Sequence, residues 1–175
     1  LKGVKYDNSS FTNIIDITTL HYDLMLDFDF DNRNINGVIK LTMQALTDNV
    51  RYIVLDTWDL DIYSVTVNGT LPLDFTISTP DPIIGKALNI TIPPLGKNQK
   101  IMIVIDYHTQ AMVAGSWLTP QQTAEKKLNY FFTQCESIYC RNLAPLQDTP
   151  AIKSTYTVDV VVPKEYVVRV SGDLT

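Results

Sequence analysis

Gln134 and Glu136 stand two apart in the run Tyr130-Phe131-Phe132-Thr133-Gln134-Cys135-Glu136. If that run is extended, alternation sends both side chains to one face. A carboxylate beside an amide can hold an ammonium group: the acid supplies charge and the amide oxygen a second acceptor. Arg141 offers a competing outcome, an ion pair with Glu136 inside the domain. A second pairing, Glu136 with Asp148, has the residue types of a general acid and base. Carboxylates in such a position are more often surface or ion-paired groups. The surrounding stretch, Tyr130 to Lys153, is read as the functional edge of an otherwise structural domain. It opens on three aromatics that suit a buried strand. It then sets Gln134, Glu136, Tyr139, Arg141 and Asp148 among apolar residues. Polar groups in a half-buried segment must be satisfied or presented to something.

Other chemistry is thinly represented. The chain carries no His-Glu-x-x-His, no Gly-x-Ser-x-Gly, no P-loop and no Gly-x-Gly-x-x-Gly. His21 and His108 are the only histidines, far apart and outside any metal-ligand spacing. A zinc site needs about four ligands. Cys135 and Cys140 are the only cysteines, too few for a disulfide scaffold. They read as two reduced, partly buried thiols. A Cys–His nucleophile pair has nothing in the spacing to support it. Asn-x-Ser/Thr triplets at Asn8, Asn68 and Asn89 matter only in a secreted protein.

The elements that must position Gln134 and Glu136 read as strands. Between His21 and Phe30, residues Tyr22, Leu24, Leu26, Phe28 and Phe30 share one face, with Asp23, Asp27 and Asp29 on the other. Ile39, Leu41 and Met43 alternate with Lys40, Thr42 and Gln44 in the next segment, giving an amphipathic hairpin. Short apolar runs follow at Tyr52–Asp56, Ile62–Val67, Phe75–Ser78 and Leu88–Ile92, and Asn68-Gly69 is a strong hairpin signal. In Ile101–Tyr107, apolar residues on both faces suggest two-sided burial. Thr119 with Pro120 and Gln122 could cap one short helix. Ser154–Val162 and Tyr166–Val170 are further strands, and residues 1–18 form an arm or an early strand. The spacing of strands and turns indicates an all-β sandwich or open barrel.

The chain has 175 residues, which suits one domain with a real core. Its net charge is −5, with no basic stripe to neutralise phosphates. That argues against nucleic acid as a partner and against an anionic membrane surface. No apolar run approaches the ~20 residues that a membrane-spanning helix needs. No secretory h-region is visible at the start.

The segments Ser116–Thr123, Tyr130–Glu136, Cys140-Arg141 and Pro145–Lys153 closely resemble the family of leukotriene-A4 hydrolase and the zinc aminopeptidases. His21-Tyr22-Asp23-Leu24, Leu55-Asp56, Leu60-Asp61-Ile62 and Val65-Thr66-Val67-Asn68-Gly69 fit the same N-terminal domain. The resemblance implies one all-β domain over residues 1–175, saddle-like, with mixed and antiparallel strands. It implies a fragment or shortened product whose catalytic domain, with its zinc and its Gly-x-Met-Glu-Asn loop, lies outside these residues. No catalytic residue, metal or cofactor is therefore expected in this chain. Carried over by position, Gln134 and Glu136 become substrate-binding residues for the N-terminus of a peptide. Arg141, Asp148, Pro150 and Lys153 become structural, with a buried ion pair among them. The leukotriene hydrolase pattern has an amide where Glu136 stands. The acid suits a peptide's ammonium and gives an epoxide no obvious benefit, so it favours aminopeptidase activity in the parent. The other reading is a non-catalytic β-sandwich interaction module. The lone thiols and the resemblance also imply a cytoplasmic protein.

Overall fold

A computed structural model describes residues 7–173. The chain order is β1 (Ile17–Asp29), β2 (Asn34–Ala45), β3 (Val50–Thr57), β4 (Leu60–Val67), β5 (Leu71–Pro72), β6 (Phe75–Ile77), β7 (Lys86–Leu95), β8 (Lys100–Thr109), β9 (Gly115–Leu118), β10 (Tyr130–Thr133) and β11 (Thr155–Val161). Three sheets result. The largest runs β11-β1-β2-β8-β4-β5, a second runs β3-β7-β6, and β9 with β10 forms a two-stranded ribbon. The largest sheet is mixed, because β11 lies parallel to β1 while its other pairings are antiparallel. It does not close, so the fold is an open all-β sandwich.

Alternation explains the core. Leu24 and Leu26 of β1, Ile39, Leu41 and Met43 of β2, and Ile101, Ile103, Ile105 and Tyr107 of β8 all point inward. They meet Ile53 and Leu55 of β3 and Leu88, Ile90 and Ile92 of β7 in one buried cluster. Burying each such side chain stabilises the fold by about 1.5–3 kcal/mol. On the opposite face Met102 and Val104 are only half-buried, so two-sided burial of β8 is not found. Asn68 and Gly69 both take positive φ, 54° and 75°, as the hairpin signal requires. Thr119–Gln122 forms a single 3-10 turn over Pro120–Gln122, where the Thr119 N–H donates to Gln122 Oε1 at 2.9 Å.

The ends differ from expectation. Of the arm, residues 1–6 lie outside the described residues, and 7–13 lie against the body through turns before β1 begins at Ile17. The strand expected at Tyr166–Val170 has no ladder partner, and Val167 is 77% exposed. Tyr166 instead stacks on Phe30, with ring centroids 4.0 Å apart. β-propensity alone cannot make a strand where no neighbouring edge receives it.

Gly37 of β2 faces Tyr107 of β8 across the ladder, and a Cβ at Gly37 would fall on the tyrosine ring. The ring is buried and its hydroxyl has no hydrogen-bond partner, and burial pushes its ionisation far up. Gly37→Ala is therefore expected to cost roughly 1–3 kcal/mol through overpacking. Tyr107→Phe should be neutral or stabilising, since it removes an unsatisfied buried hydroxyl. Urea unfolding midpoints of the two variants against the parent chain check both signs.

Candidate functional site

The segment after β10 divides at Cys140. Downstream, residues 141–149 form a buried polar strap. Arg141 is fully buried, and all its bonds are internal. Its Nε donates to Asp148 Oδ2 at 3.0 Å, and its terminal nitrogens donate to the carbonyls of Ile84, Ser9 and Asp148 at 2.7, 2.8 and 3.0 Å. Asp56, also fully buried, lies 3.6 Å from the same guanidinium. Burial pushes the Asp56 carboxyl above its ordinary range. Bonds from Ser10 Oγ (2.6 Å), Phe11 N–H (2.8 Å) and Asp148 N–H (3.2 Å) oppose that push.

Two amides complete the strap. Asn142 donates to the carbonyls of Trp58 and Ala111 and accepts from the N–H groups of Val113 and Ala114. Gln147 accepts from the Thr19 N–H and hydroxyl and donates to the Ile17 carbonyl. It therefore satisfies β1 beside the irregularity at Thr19/His21, where the ladder to β2 slips. Sequence reasoning missed Asn142, Gln147 and the role of Asp56. Loop amides and a strand-end aspartate carry no signal until the chain has folded.

Upstream, the structure corrects several expectations. β10 ends at Thr133, so Gln134 and Glu136 do not alternate along one strand. Gln134 is held by its backbone, whose N–H donates to the Ala114 carbonyl at 2.7 Å. Glu136 sits in the turn that follows. Tyr130 and Phe132 are not buried; they are 54% and 42% exposed, and only Phe131 packs inward, against Phe28 and Trp117. A two-stranded ribbon buries one face at most. Cys135 and Cys140 are not free thiols. They form a disulfide with Cα atoms 4.7 Å apart, because the chain turns back through a Tyr139 N–H bond to the Cys135 carbonyl.

Glu136 and Asp148 have opposite fates. Asp148 is committed to Arg141, so it is no partner for acid–base work by Glu136. The buried ion pair expected among Arg141, Asp148, Pro150 and Lys153 joins Arg141 to Asp148, and it disposes of the idea that Arg141 neutralises Glu136. Glu136 is exposed and takes part in none of the salt bridges among the described residues. It lines an open groove of about 530 Å³, together with Tyr22, Ser137, Pro150, Ile152 and both cysteines. Gln134, also exposed, does not line that groove.

Residues 18–173 match the Peptidase M1 N-terminal domain. The chain belongs to the M1 peptidase family. It is 38% identical to a leukotriene A-4 hydrolase of Xenopus laevis over 95% of its length, and 36% identical to leucine aminopeptidase 2 of Yarrowia lipolytica over 91%. It spans only 27% and 24% of those relatives. A solved yeast LTA4 hydrolase in complex with bestatin superposes on 93% of the chain with a TM-score of 0.85 at 31% identity. A two-domain M1 zinc metallopeptidase shares the fold, with a TM-score of 0.64 at 24% identity. The family implies zinc, but among the described residues no group of three His, Cys, Asp or Glu could hold a metal ion. The residues of this M1 domain do not fit one.

Two outcomes test the strap. Arg141→Met leaves Asp56 and Asp148 buried without their cation and is expected to cost about 3–5 kcal/mol. A loss under ~1 kcal/mol in urea unfolding would show the pair to be dispensable. Asp7 tests the arm. The Thr149 hydroxyl, donating at 2.6 Å, holds the Asp7 carboxyl below its ordinary value of 3.8. That stabilisation is complete above the unfolded pKa and is lost as pH falls through the folded one. The gap in urea midpoint between the parent chain and Asp7→Asn should be full at about pH 5 and close as the pH drops below 3.8.

Proposed function

We propose that this chain is the substrate-recognition and docking domain of a zinc aminopeptidase, and that it binds the free N-terminus of a peptide through Glu136 and Gln134. One observation carries the reading. Around the strap, Asp7, Asp56 and Asp148 are each consumed by internal hydrogen bonds, while Glu136 stands exposed at a groove and in none of the salt bridges among the described residues. A carboxylate left free beside a cavity is placed to accept the N–H bonds of an ammonium. Gln134, exposed two residues earlier but outside that groove, is given the second-acceptor role by the family pattern alone.

Holding the α-amino group fixes the register of the peptide, so that one residue projects past the anchor. This domain then contributes binding and orientation, and bond cleavage belongs to the remainder of the protein. The relatives are several-fold longer than this chain, which fits a catalytic domain following it. The exposed Tyr130 and Phe132, stacked with centroids 6.0 Å apart on the ribbon that leads to Gln134, suit a face that such a domain covers. Epoxide hydrolysis finds less support, since an acid at 136 gives an epoxide no obvious benefit.

The test is Glu136→Gln in the full-length enzyme. A hydrogen bond to a charged group is worth about 1.5–3 kcal/mol, so kcat/KM for a free-amine peptide should fall on the order of 10- to 100-fold. An unchanged kcat/KM would sink the assignment. Competition by a dipeptide and by its N-acetyl form supplies the control. The parent enzyme should prefer the free amine, and the variant should lose that preference.

A further inference from the structure

We propose that the Cys135–Cys140 disulfide is the device that positions Glu136, and that its reduction by a dithiol lowers peptide affinity. This inference rests on the reading of Glu136 just given. The bond closes a ring around Glu136, Ser137, Ile138 and Tyr139. One end of the ring is rigid. Cys140 opens a 3-10 turn, Cys140–Asn142, whose next two residues are the fully buried Arg141 and Asn142. Tyr139 rests edge-on against Trp58, with centroids 6.0 Å apart.

The other end is loosely held. β10 stops at Thr133, and the last tie to the body before the ring is the Gln134 N–H bond to Ala114. Glu136 and Ser137 are exposed, and among the described residues neither side chain is hydrogen-bonded to the body. Two links connect the loose end to the rigid one: the disulfide and a single Tyr139 N–H bond to the Cys135 carbonyl, 2.7 Å long. Cutting the covalent link leaves one backbone hydrogen bond to hold a solvent-facing turn, and such bonds open readily. The carboxylate then samples many positions, and an ammonium must pay the ordering entropy on binding.

The sulfurs are within reach of a reductant. Both cysteines are half-buried and line the groove beside Glu136. A thiolate of the dithiol attacks one sulfur, the S–S bond breaks, and a mixed disulfide forms. The reductant's second thiolate then displaces the protein sulfur. Two electrons pass to the pair, both cysteines end as thiols, and the dithiol ends as a cyclic disulfide. In a reducing compartment disulfides are usually transient and redox-responsive, which is the role assigned here.

The experiment uses the full-length enzyme and dithiothreitol. Alkylation with mass spectrometry first counts the free thiols at 135 and 140 before and after reduction. Reduction is expected to raise KM for a free-amine peptide about 3- to 10-fold with kcat little changed, and reoxidation should restore it. The Cys135→Ser/Cys140→Ser double variant should match the reduced enzyme and ignore dithiothreitol. Should that variant fail to fold, the reversible cycle on the wild type still decides. In Glu136→Gln, KM should be raised already and insensitive to redox state. If reduction frees both thiols without moving KM while Glu136→Gln still raises it, the positioning role falls and the binding assignment stands. If Glu136→Gln leaves both KM and kcat/KM unchanged, both fall. Thiols fully alkylated in the untreated enzyme would also overturn the proposal.

Discussion

Everything around the candidate site depends on one buried guanidinium. Arg141 has no solvent contact, so each of its donors must find a partner within the chain. The partners come from four places in sequence: Asp148, the carbonyl of Ile84, the carbonyl of Ser9, and Asp56 across a longer gap. The arm, a loop before β7, the end of β3 and the strap are therefore required to be present together. No subset of them satisfies the charge. Lysine could not replace it, because a single ammonium cannot reach that many acceptors in a plane. The fit also explains why Asp56 remains tolerable at zero exposure. Burial raises the cost of its charge, and the arm's Ser10 and Phe11 donate against that cost.

That constraint sets up a contrast within a few residues of chain. From Arg141 to Thr149, side-chain amides and carboxylates are consumed in holding strands together. From Gln134 to Tyr139, they face outward. On the proposed reading, the rigid part makes the exposed part useful, since a binding carboxylate on a free loop would be ordered only at the cost of affinity. Gln147 shows how far the anchoring extends. By taking the Thr19 donors at the slip in the β1 ladder, it joins the strap to the largest sheet.

The sheet was legible in the sequence because alternation is a local signal. Leu24 and Leu26, or Ile39, Leu41 and Met43, announce an inward face whatever lies opposite. Failures came where the outcome depends on a neighbour. Tyr130 and Phe132 have the composition of a buried strand, yet they stand on a ribbon with nothing over its outer face. Tyr166–Val170 has strand propensity and no edge to join. The two cysteines read as thiols because spacing cannot show that the intervening turn brings them together. At the site, the structural role of Arg141 and Asp148, with a buried ion pair in their stretch, was legible through resemblance to the family. The embrace of the same arginine by Asp56, Ser9 and Ile84 was not, since its members lie 57 to 132 residues away. Gln134 and Glu136 were singled out on strand alternation, which the end of β10 at Thr133 removes, and on resemblance to the family. What the structure adds is the exposure of both groups.

On the proposed reading, the strength of the Glu136 interaction is not a property of this domain alone. A unit charge pair 4 Å apart is worth about 1 kcal/mol in water and about 4 kcal/mol at the effective dielectric of a protein surface cleft. Glu136 at an open groove lies near the first limit, so an amine should bind the isolated chain weakly. Covering the groove with the rest of the protein would move the pair toward the second limit, without any change in the residues that touch the ligand. The exposed aromatics of β10 lie immediately before Gln134, so the surface that would be covered and the group that would gain from covering are continuous along the chain. A domain built in this way supplies little affinity by itself, and its anchor strengthens when the two parts of the enzyme are assembled.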